Sequence, residues 1–514
     1  MTTPSEKLAQ SLEILQELQS QKRIAIRSSE LSRIHRERLT ANGFLQEVMK
    51  GWYIPVHPDE TKGESTAWFI CFWSFCAAYL KERFGDEWCL SPEQSISIQV
   101  GNKTVPKQLV VRSPKARNQV TQLMFGTSIL EVRSSLPDKK DTEENEGLLI
   151  FSIPSALIAC SPVFFRQNST DSSAALSTIR DASDILNRLL KGEHTTIAGR
   201  LAGAFRNIGR NRIADDIIKT MQAAGYNSYE QDPFEQPSPV ILTGREISSP
   251  YVNRIRMIWQ KMREPILKQF PPSPGLPESM DFYLKQVSKI YVTDAYNSLS
   301  IEGYRVSPEL IERVRSGDWN PDNNENDQKH KNALAARGYW QAYQSVCNSI
   351  KKILNGENAG SVTDEDHAMW YREMFAPSVI AGISSPVDLA GYRSDQVYIR
   401  QSMHVPPNKE AVRELMPAFF DLLQKEDESS VRVVLGHFMF VYIHPYMDGN
   451  GRMGRFLMNA MLASGGYPWI VIPVESRDRY ISALDEASVK QDITNFASFL
   501  SQLVQKSMDL EAHR

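Results

Sequence analysis

The sequence predicts a mainly α-helical C-terminal half and an N-terminal half that mixes helices with short strands. From Tyr251 to the end, apolar residues recur at helical spacing almost throughout, with one exception near residues 396–404. Residues 64–165 instead alternate helix-like pieces with short runs of β-branched residues, which are typical of strands. A segment rich in proline and polar residues, 227–248, separates the halves and is predicted to be a linker.

Length and composition are ordinary for a globular protein of several domains. The chain has 514 residues, which suggests roughly two to four domains. Apolar residues make up 41% and charged residues 23% of the chain, and both values are common. The formal net charge of −3 gives no overall field that would attract nucleic acid or an anionic membrane, although a local basic patch is compatible with it.

The cysteines and the apolar segments favour a cytoplasmic protein without a membrane partner. The five cysteines are irregularly spaced and include no C-x-x-C pair, so we expect buried free thiols in a reducing compartment. Residues 1–21 are polar and of mixed charge, unlike a signal peptide. The most apolar run, 67–80, is too short to span a bilayer and is predicted to be a core helix.

Residues 1–60 are predicted to fold as three helices and two strands. The helices are expected over 6–21, 26–31 and 34–42, and the strands follow at once. This order resembles a winged helix-turn-helix. Four basic residues lie on or beside the third helix: Arg33, His35, Arg36 and Arg38. They could contact DNA phosphates, or they could form the solvated face of a protein-interaction module.

Residues 61–226 are predicted to form an α+β region. Strands are expected over 96–100, 108–112 and 129–132, and helices over 172–226. The pattern resembles the N-terminal region of AbiEi-type antitoxins. No nucleotidyltransferase motif is present in this stretch.

The strongest signal in the chain is the string H-P-Y-M-D-G-N-G-R-M-G-R at residues 444–455. An apolar helix is predicted before it, over 431–443, and a second helix after it, from Arg455 to Ser464. The string therefore lies in a tight loop that runs into a helix N-terminus. Its Gly-Asn-Gly step lets backbone N–H groups turn inward and surround an anion, and the helix dipole adds positive potential there.

The side chains of this loop suit phosphate chemistry. Arg452 and Arg455 are three residues apart and share a helix face, and their guanidinium groups match phosphate oxygens. Asp448 is a hard carboxylate suited to magnesium, and His444 titrates near neutrality, as a general base should. A competing metal site would use His437, His444 and Asp448, but His437 lies on an apolar helix and fits a packed core histidine better.

The same string resembles the Fic-family signature H-P-F-x-[D/E]-G-N-G-R-x-x-R. It agrees at every specified position except the aromatic one, where Tyr446 replaces phenylalanine and can still anchor the loop. Chance agreement at the eight other fixed positions is roughly one in 10¹⁰ per starting residue. The resemblance covers residues 251–510, and the predicted Fic domain is 249–514, with a β-hairpin flap near its middle.

The resemblance implies a protein adenylyltransferase, which moves AMP from ATP to a Ser, Thr or Tyr hydroxyl and often forms a homodimer. By this similarity, His444 is the base, Asp448 binds Mg²⁺, and Tyr480 contacts the adenine, although Tyr480 could equally be a core residue. The implied anion hole and phosphate ligands are Gly449, Asn450, Gly451, Arg452 and Arg455.

The residues from 391 to 407 resemble the family's flap hairpin. There an extended edge would align the target segment by strand addition, although the segment could also be an ordinary surface hairpin. The implied target-positioning residues are Val397, Tyr398, Ile399 and His404.

Residues 298–303, S-L-S-I-E-G, resemble the family's inhibitory motif [S/T]-x-x-x-E-[G/N]. A helix is predicted over 278–302, and Ser298 and Glu302 share one of its faces because they are four residues apart. In similar proteins this glutamate pairs with the second arginine of the signature, here Arg455, and occupies the γ-phosphate position. The resemblance therefore implies an autoinhibited enzyme.

Two further functions stay open at this level. The loop alone would recognise phosphates and not nucleobases, so phosphorylation, UMP transfer and phosphocholine transfer are alternatives within the same fold. In similar proteins the same site also removes AMP. A different class is a DNA-binding, antitoxin-like regulator in which the Fic half senses a nucleotide.

Overall fold

The computed structural model describes residues 3–21, 23–58, 64–235, 249–318 and 331–512. The chain divides into two compact units. The first comprises Met1–Arg254 and Tyr398–Val405, and the second comprises Ile255–Val397 and Pro406–Arg514. Within the described residues, no helix is both long enough and apolar enough to cross a membrane.

The first unit begins with a small three-stranded sheet flanked by two helices. In chain order these elements are α1 (Pro4–Ser20), β1 (Ile26–Arg27), α2 (Arg33–Ala41), β2 (Leu45–Met49) and β3 (Trp52–Pro55). The strand order is β1-β3-β2, and both pairings are antiparallel.

The short helix expected over 26–31 is wrong. Ile26 and Arg27 instead pair with the central strand β3, and the fully buried Ile26 side chain belongs to a small apolar core. A turn follows, closed by a hydrogen bond from the Glu30 N–H to the Arg27 carbonyl. Pairing with a strand distant in sequence overrides the local pattern here, so only one of the two helices of the expected helix-turn-helix step is formed.

The basic residues of α2 contact their own unit. Arg33 pairs with Glu37 one turn along the helix. The other three bind partners outside α2: His35 Nδ1 lies 2.9 Å from Ser11 Oγ, Arg36 donates to the Ser28 carbonyl, and Arg38 donates to the Lys7 carbonyl. Much of their hydrogen-bonding capacity is therefore used internally, and DNA binding stays a prediction.

The remainder of the first unit is an α+β region, as expected. Its elements are α3 (Thr66–Phe84), β4 (Cys89–Leu90), α4 (Pro92–Gln99), β5 (Gln108–Ser113), β6 (Val120–Gln122), β7 (Ser128–Arg133), β8 (Thr142–Asn145), β9 (Leu148–Phe151), α5 (Ile153–Ala159), α6 (Pro162–Gln167), α7 (Ser169–Thr178), α8 (Ser183–Lys191), α9 (Thr195–Asn207) and α10 (Asn211–Ala223). The central sheet has the order β4-β5-β7-β6, with β5 and β7 parallel.

Most of the secondary structure predicted here is confirmed. The strands at 108–112 and 129–132, the core helix at 67–80 and the helices over 172–226 are all present. The strand expected over 96–100 is wrong, because residues 96–99 are the end of α4 and Val100 is its C-cap. Ser91 caps that helix by accepting a hydrogen bond from the Gln94 N–H, and Pro92 occupies its first turn.

The five cysteines are free thiols, four of them buried, as expected. Of the predicted linker, residues 227–235 are irregular and 236–248 lie outside the described residues.

The second unit is helical, and its described residues contain no strand. Helix α11 (Pro250–Gln269) leads the chain into it. The further helices are α12 (Met280–Ile301), α13 (Pro308–Ser316), α14 (Lys331–Leu354), α15 (Ala359–Ile380), α16 (Lys409–Lys425), α17 (Ser429–Ile443), α18 (Asn450–Ser464), α19 (Arg477–Lys490) and α20 (Thr494–Ala512). Helices α17 and α18 are almost entirely buried and place the signature loop between them.

The β-hairpin flap expected near residues 391–407 is not formed, since this segment contains no strand. It turns at Arg400 and Gln401, and Gln401 adopts a positive φ of 58°. Pro406 and Pro407 lack the N–H groups that a ladder needs. The chain therefore reverses here without pairing to itself.

Within the first unit, the turn residues 398–405 are held by the core and by hydrogen bonds. The Val105 N–H donates to the Met403 carbonyl at 2.9 Å, and the Gln401 N–H donates to Thr66 Oγ1 at 3.0 Å. Arg400 binds the buried Glu64 carboxylate at 2.5 and 2.9 Å. These backbone groups are not free to pair with an added strand.

Candidate active site

His444 ends helix α17 and takes a backbone conformation that side chains other than glycine rarely adopt. Its φ is 55°, and its N–H donates to the Phe440 carbonyl at 3.0 Å. The ring Nδ1 lies 3.1 Å from the Val441 carbonyl oxygen. Because a carbonyl can only accept, Nδ1 carries the hydrogen and Nε2 keeps its lone pair. The ring is therefore oriented and tautomerically set to accept a proton at Nε2.

The surroundings of His444 favour the neutral imidazole. Burial lowers its pKa to about 4, against the opposing effect of the Val441 carbonyl, and the positive charge of Arg393 lowers it further. His444 is consequently unprotonated at neutral pH, which is the state required of a general base.

Arg393 holds the backbone at His444 and at the residue that follows it, a role that the sequence alone did not indicate. It is 1% exposed. Its Nε donates to the His444 carbonyl at 2.9 Å, its Nη2 donates to the Pro407 carbonyl, and its own N–H donates to the Pro445 carbonyl at 2.9 Å. The only sequence signal was its position in the flap-like Gly-Tyr-Arg step.

Asn450 fixes the shape of the loop from inside. Its Oδ1 accepts from the Tyr446 N–H at 2.9 Å, and its Nδ2 donates to the Tyr446 carbonyl at 2.8 Å. The residue is 2% exposed, so its side chain supports the loop from inside. The anion hole expected from the backbone N–H groups of residues 449–451 stays a prediction. Gly449 precedes α18 with a φ of 79°, which bends the chain so that the helix N-terminus opens toward the loop.

Tyr446 anchors the loop as its aromatic position predicted. It is 1% exposed and stacks on Tyr371 of α15, with ring centroids 3.8 Å apart and planes 5° apart. His367, near the start of the same helix, binds the Tyr392 hydroxyl at 2.9 Å and lies beside this stack. These aromatic supports come from a helix that carried no recognisable motif.

Arg452 and Arg455 are both buried in the first turns of α18, at 1% and 4% exposure. Arg452 lies 3.2 Å from Asp448 Oδ2, and its guanidinium lies 5.0 Å from the centroid of the Phe375 ring. Two of their donors, Arg452 Nε and Arg455 Nη1, have no acceptor among the described residues. Buried charged donors without acceptors are costly, so the pair fits an anion that would accept from them.

Arg455 is bound by both residues of the predicted inhibitory motif. Its Nε donates to Ser298 Oγ at 2.8 Å, and its Nη2 donates to the Ser298 carbonyl at 3.0 Å and to Glu302 Oε1 at 2.7 Å. The predicted helix is α12, which Ser279 caps and which ends at Glu302, before Gly303 at a φ of 85°. The predicted pairing of Glu302 with Arg455 is therefore present.

Gly451 lets the Glu302 carboxylate approach the start of α18. A Cβ at this position would lie 2.3 Å from Glu302 Oε1 and 3.2 Å from Arg455 Nη1. Burial raises the pKa of Glu302, but the charges of Arg455 and Arg452 outweigh it and hold the pKa below its usual value. An ionised carboxylate therefore occupies the place where the helix N-terminus and both arginines favour an anion.

Residues 367–462, which include the whole signature loop, match the model of the Fic/DOC family. The chain contains a Fic domain. The match begins within α15, so the N-terminal resemblance to AbiEi-type antitoxins is not confirmed and stays a prediction.

Curated relatives share the Fic domain and little else of their length. The chain is 38% identical over 135 residues to "Protein adenylyltransferase Fic" of Drosophila willistoni, covering 26% of each protein. It is 37% identical over 134 residues to the protein of the same name from Nematostella vectensis, covering 25% of this chain and 31% of that one. The chain thus spans between a quarter and a third of the length of these relatives.

Two solved structures with which the chain shares some similarity are Fic proteins. Fic-1 from C. elegans matches at 18% identity with a TM-score of 0.37, covering 67% of this chain and 98% of that one. A Fic domain containing signaling protein from Bacteroides thetaiotaomicron matches at 18% identity with a TM-score of 0.34, covering 49% and 94%.

Asp448 is the residue of the Fic domain that fits a magnesium ion. Its side chain is 67% exposed at the rim of the loop, and its Oδ1 accepts from the Gly449 N–H. No group of three or more His, Cys, Asp or Glu residues that could hold a metal occurs among the described residues. A single exposed carboxylate suits Mg²⁺, which takes its other ligands from water and substrate phosphates.

Tyr480 and His437 form a buried pair in the core of the second unit. The Tyr480 hydroxyl lies 2.7 Å from His437 Nε2, and the two residues are 1% and 0% exposed. Tyr480 thus presents no surface to an adenine ring, and its place agrees with the core alternative. His437 is likewise a packed core histidine, so the competing metal site has no geometric support.

The residues expected to position the target segment are mostly buried or half-buried. His404 is 3% and Val397 8% exposed, and Tyr398 and Ile399 are half-buried. The His404 N–H donates to Ser402 Oγ at 3.0 Å. An open extended edge at these residues is not what the structure presents.

Proposed function

We propose that the Fic domain transfers AMP from ATP to a Ser, Thr or Tyr hydroxyl of a protein, the chain itself included. The observation that carries this proposal is the pair of buried, acceptor-free arginine donors beside a neutral histidine. The donors supply a site for phosphates, and the histidine supplies a base for the hydroxyl. The names of the relatives, protein adenylyltransferases, suggest that the transferred group is AMP.

In the proposed reaction, Nε2 of His444 accepts the proton of the target hydroxyl as its oxygen attacks the α-phosphorus of ATP. The bond from the α-phosphorus to the oxygen bridging to the β-phosphate breaks, and pyrophosphate leaves with that electron pair. Arg452, Arg455 and the first N–H groups of α18 bind the phosphate oxygens and stabilise the developing charge. Asp448 would hold Mg²⁺ with the phosphates, and the ion when bound supplies further positive charge. The proton on His444 then returns to solvent.

The proposed enzyme is autoinhibited by its own helix α12. The negatively charged carboxylate of Glu302 binds Arg455, which would otherwise bind the γ-phosphate of ATP. The carboxylate and the phosphate therefore compete for one guanidinium. ATP bound beside Glu302 would lie in a non-productive position. A reverse reaction that removes AMP, with Glu302 orienting the attacking water, is a secondary proposal for the same site.

The test compares automodification of the full chain with ATP labelled at the α- or the γ-phosphate. Glu302→Gly should increase incorporation of the α-label by at least tenfold over the wild type, and the added substitution His444→Ala should abolish it. Glu278→Gly, at an exposed glutamate just before α12, is the matched control and should leave incorporation unchanged.

Each alternative has its own outcome in this experiment. Incorporation of the γ-label alone would mean phosphorylation, and incorporation only from labelled UTP or CDP-choline would mean another donor. Absence of any label in Glu302→Gly, with ATP and Mg²⁺ present and with candidate targets added from a cell extract, would contradict transferase activity.

A further inference from the structure

The guanidinium of Arg452 lies over two aromatic rings that come from different parts of the second unit. Its central carbon is 5.0 Å from the ring centroid of Phe375 and 5.2 Å from the ring centroid of Tyr304. Phe375 belongs to α15, and Tyr304 follows Glu302 by two residues. Arg452 is 1% exposed, so both contacts are largely shielded from water, where an aromatic ring attracts a cation most strongly.

Phe375 is fixed by the elements that support the signature loop. Its ring centroid lies 4.9 Å from that of Tyr371, the residue of α15 on which Tyr446 stacks. A Cβ at Gly449 would lie only 2.7 Å from Phe375 Cε2, so the ring packs directly against the backbone at the start of α18. Phe375 therefore offers Arg452 a surface whose position is set by the loop itself.

Tyr304 is fixed by the C-terminal cap of helix α12. Gly303 has a φ of 85°, and its N–H donates to the Ser300 carbonyl at 2.9 Å. The Tyr304 N–H donates to the Leu299 carbonyl at 3.1 Å. These two bonds around a left-handed glycine form a Schellman motif, which sets the direction of the chain after the helix. The same cap therefore places Glu302 and the half-buried Tyr304 beside the first turns of α18.

The two rings hold Arg452 without satisfying its hydrogen-bond donors. An aromatic ring stabilises the positive charge of a guanidinium but supplies none of the oxygen acceptors that its N–H groups need. Arg452 Nη2 lies 3.2 Å from Asp448 Oδ2, and Arg452 Nε has no acceptor among the described residues. The side chain is thus ordered by its neighbours and keeps a donor for an incoming anion. Glu302, in contrast, provides Arg455 with an acceptor.

We infer that Tyr304 is a positioning residue that, together with Phe375, orders Arg452 for binding the phosphates of ATP. The inference rests on the proposed function of the Fic domain. A guanidinium that is ordered before the nucleotide arrives loses less side-chain entropy on binding. The end of α12 then has two opposite effects on the site: Glu302 occupies Arg455, and Tyr304 prepares Arg452. Loss of the Tyr304 ring should weaken ATP binding, whereas loss of Glu302 should strengthen it.

Two substitutions of Tyr304 separate the ring from the hydroxyl. Tyr304→Leu removes the aromatic ring and keeps an apolar side chain, whereas Tyr304→Phe keeps the ring and removes only the hydroxyl. Tyr296→Leu is the matched control, because Tyr296 is another half-buried tyrosine of α12 but lies six residues before Glu302, on a different face of the helix. Lys331→Met is a second control, which removes the ammonium that lies 5.9 Å from the centroid of the Tyr304 ring.

The experiment measures the affinity for ATP by calorimetry, with Mg²⁺ present, in the full chain carrying Glu302→Gly. Tyr304→Leu should weaken binding about fivefold, as expected for loss of a shielded cation–π contact. Tyr304→Phe and the two control variants should each change the affinity less than twofold. In a chain that also carries Arg452→Gln, Tyr304→Leu should have no further effect, because no guanidinium is left to order. Tyr304→Met replaces Tyr304→Leu if the latter does not fold, as judged by its melting temperature.

Several outcomes would overturn the positioning role. Unchanged or tighter ATP binding in Tyr304→Leu would do so, and so would an equal loss in Tyr304→Phe or an equal loss when Arg452 is already replaced. The measurement does not depend on transfer, so it separates this inference from the proposed function. If Glu302→Gly transfers no label but Tyr304→Leu weakens ATP binding as expected, the transferase proposal fails and the positioning role stands. If label is transferred and Tyr304→Leu binds ATP normally, only the positioning role fails.

Discussion

Glu302 and Arg455 are 153 residues apart in the chain, and their side chains meet at 2.7 Å. The guanidinium is 4% exposed and the carboxylate is 31% exposed, so the pair lies at the inner wall of an accessible site. The pairing uses Nη2 and leaves Nη1 without an acceptor in the described part of the chain. The arginine is therefore held by the protein and still able to bind an anion.

The first prediction concerns the pH dependence of the reaction. Burial lowers the pKa of His444 to about 4, so the base stays neutral and active as the pH falls from 8 to 5 and is lost only near its pKa. Glu302 raises this pKa, so its removal does not move the loss to higher pH. In Glu302→Gly, kcat/KM should change less than twofold between pH 7.5 and 5.5. A decline centred on the ordinary histidine value near pH 6.5 would contradict this prediction.

The second prediction tests the contact between Gly451 and Glu302. Gly451→Ala would place a Cβ 2.3 Å from Glu302 Oε1 and should destabilise the chain by about 1–3 kcal/mol, since the carboxylate must move. In Glu302→Gly the obstructing atoms are gone, and the same change should cost clearly less. Melting temperatures of the four proteins measure this coupling. Equal losses of stability in both backgrounds would mean that the Cβ of the alanine clashes with atoms other than those of Glu302.

The third prediction addresses the buried amide of the loop. Asn450→Ala removes both hydrogen bonds to the Tyr446 backbone and should lower the free energy of unfolding by about 1–3 kcal/mol. It should also lower automodification in the Glu302→Gly background by at least tenfold, because the loop carries the base. Asn348→Ala, at an exposed asparagine of α14, is the control and should leave both quantities unchanged. Full activity in Asn450→Ala would show that the loop keeps its shape without this amide.

The fourth prediction concerns Arg393, which supports the backbone of the base. Arg393→Lys keeps the charge but loses the forked geometry that reaches the His444 and Pro407 carbonyls together. We expect kcat in Glu302→Gly to fall at least tenfold, while ATP affinity by calorimetry stays within twofold. Arg413→Lys on the exposed side of α16 should change neither value. A fall in ATP affinity with unchanged kcat would instead place Arg393 in nucleotide binding.

The candidate site was largely predictable from sequence because its chemistry is concentrated in one short string. His444, Asp448 and the two arginines lie within twelve consecutive residues, so their spacing alone places them on a loop and one helix face. The inhibitory segment was predictable for a similar reason, since Ser298 and Glu302 belong to one helix turn. The local pattern did not predict that the Asn450 side chain points into the loop, or that Tyr480 is buried against His437.

Errors elsewhere in the chain have a common cause. The residues at 96–100 alternate like a strand, but a serine cap and a proline start a helix there. Ile26 and Arg27 lie in a helix-like stretch, but a distant strand pairs with them. The flap was predicted from resemblance to the family's hairpin, yet within the first unit the backbone of residues 401 and 403 bonds to Thr66 and Val105. In each case a cap or a contact from elsewhere decided the conformation.

By itself, the sequence determined the signature loop, the histidine at its start and the helix that ends at Glu302, because each depends on residues a few positions apart. Only the tertiary structure decided that Glu302 reaches Arg455 and that Arg393 and Tyr371 support the loop. These partners come from separate helices and loops, and packing of the buried core sets their distances. Spacing along the chain carries no information about such contacts.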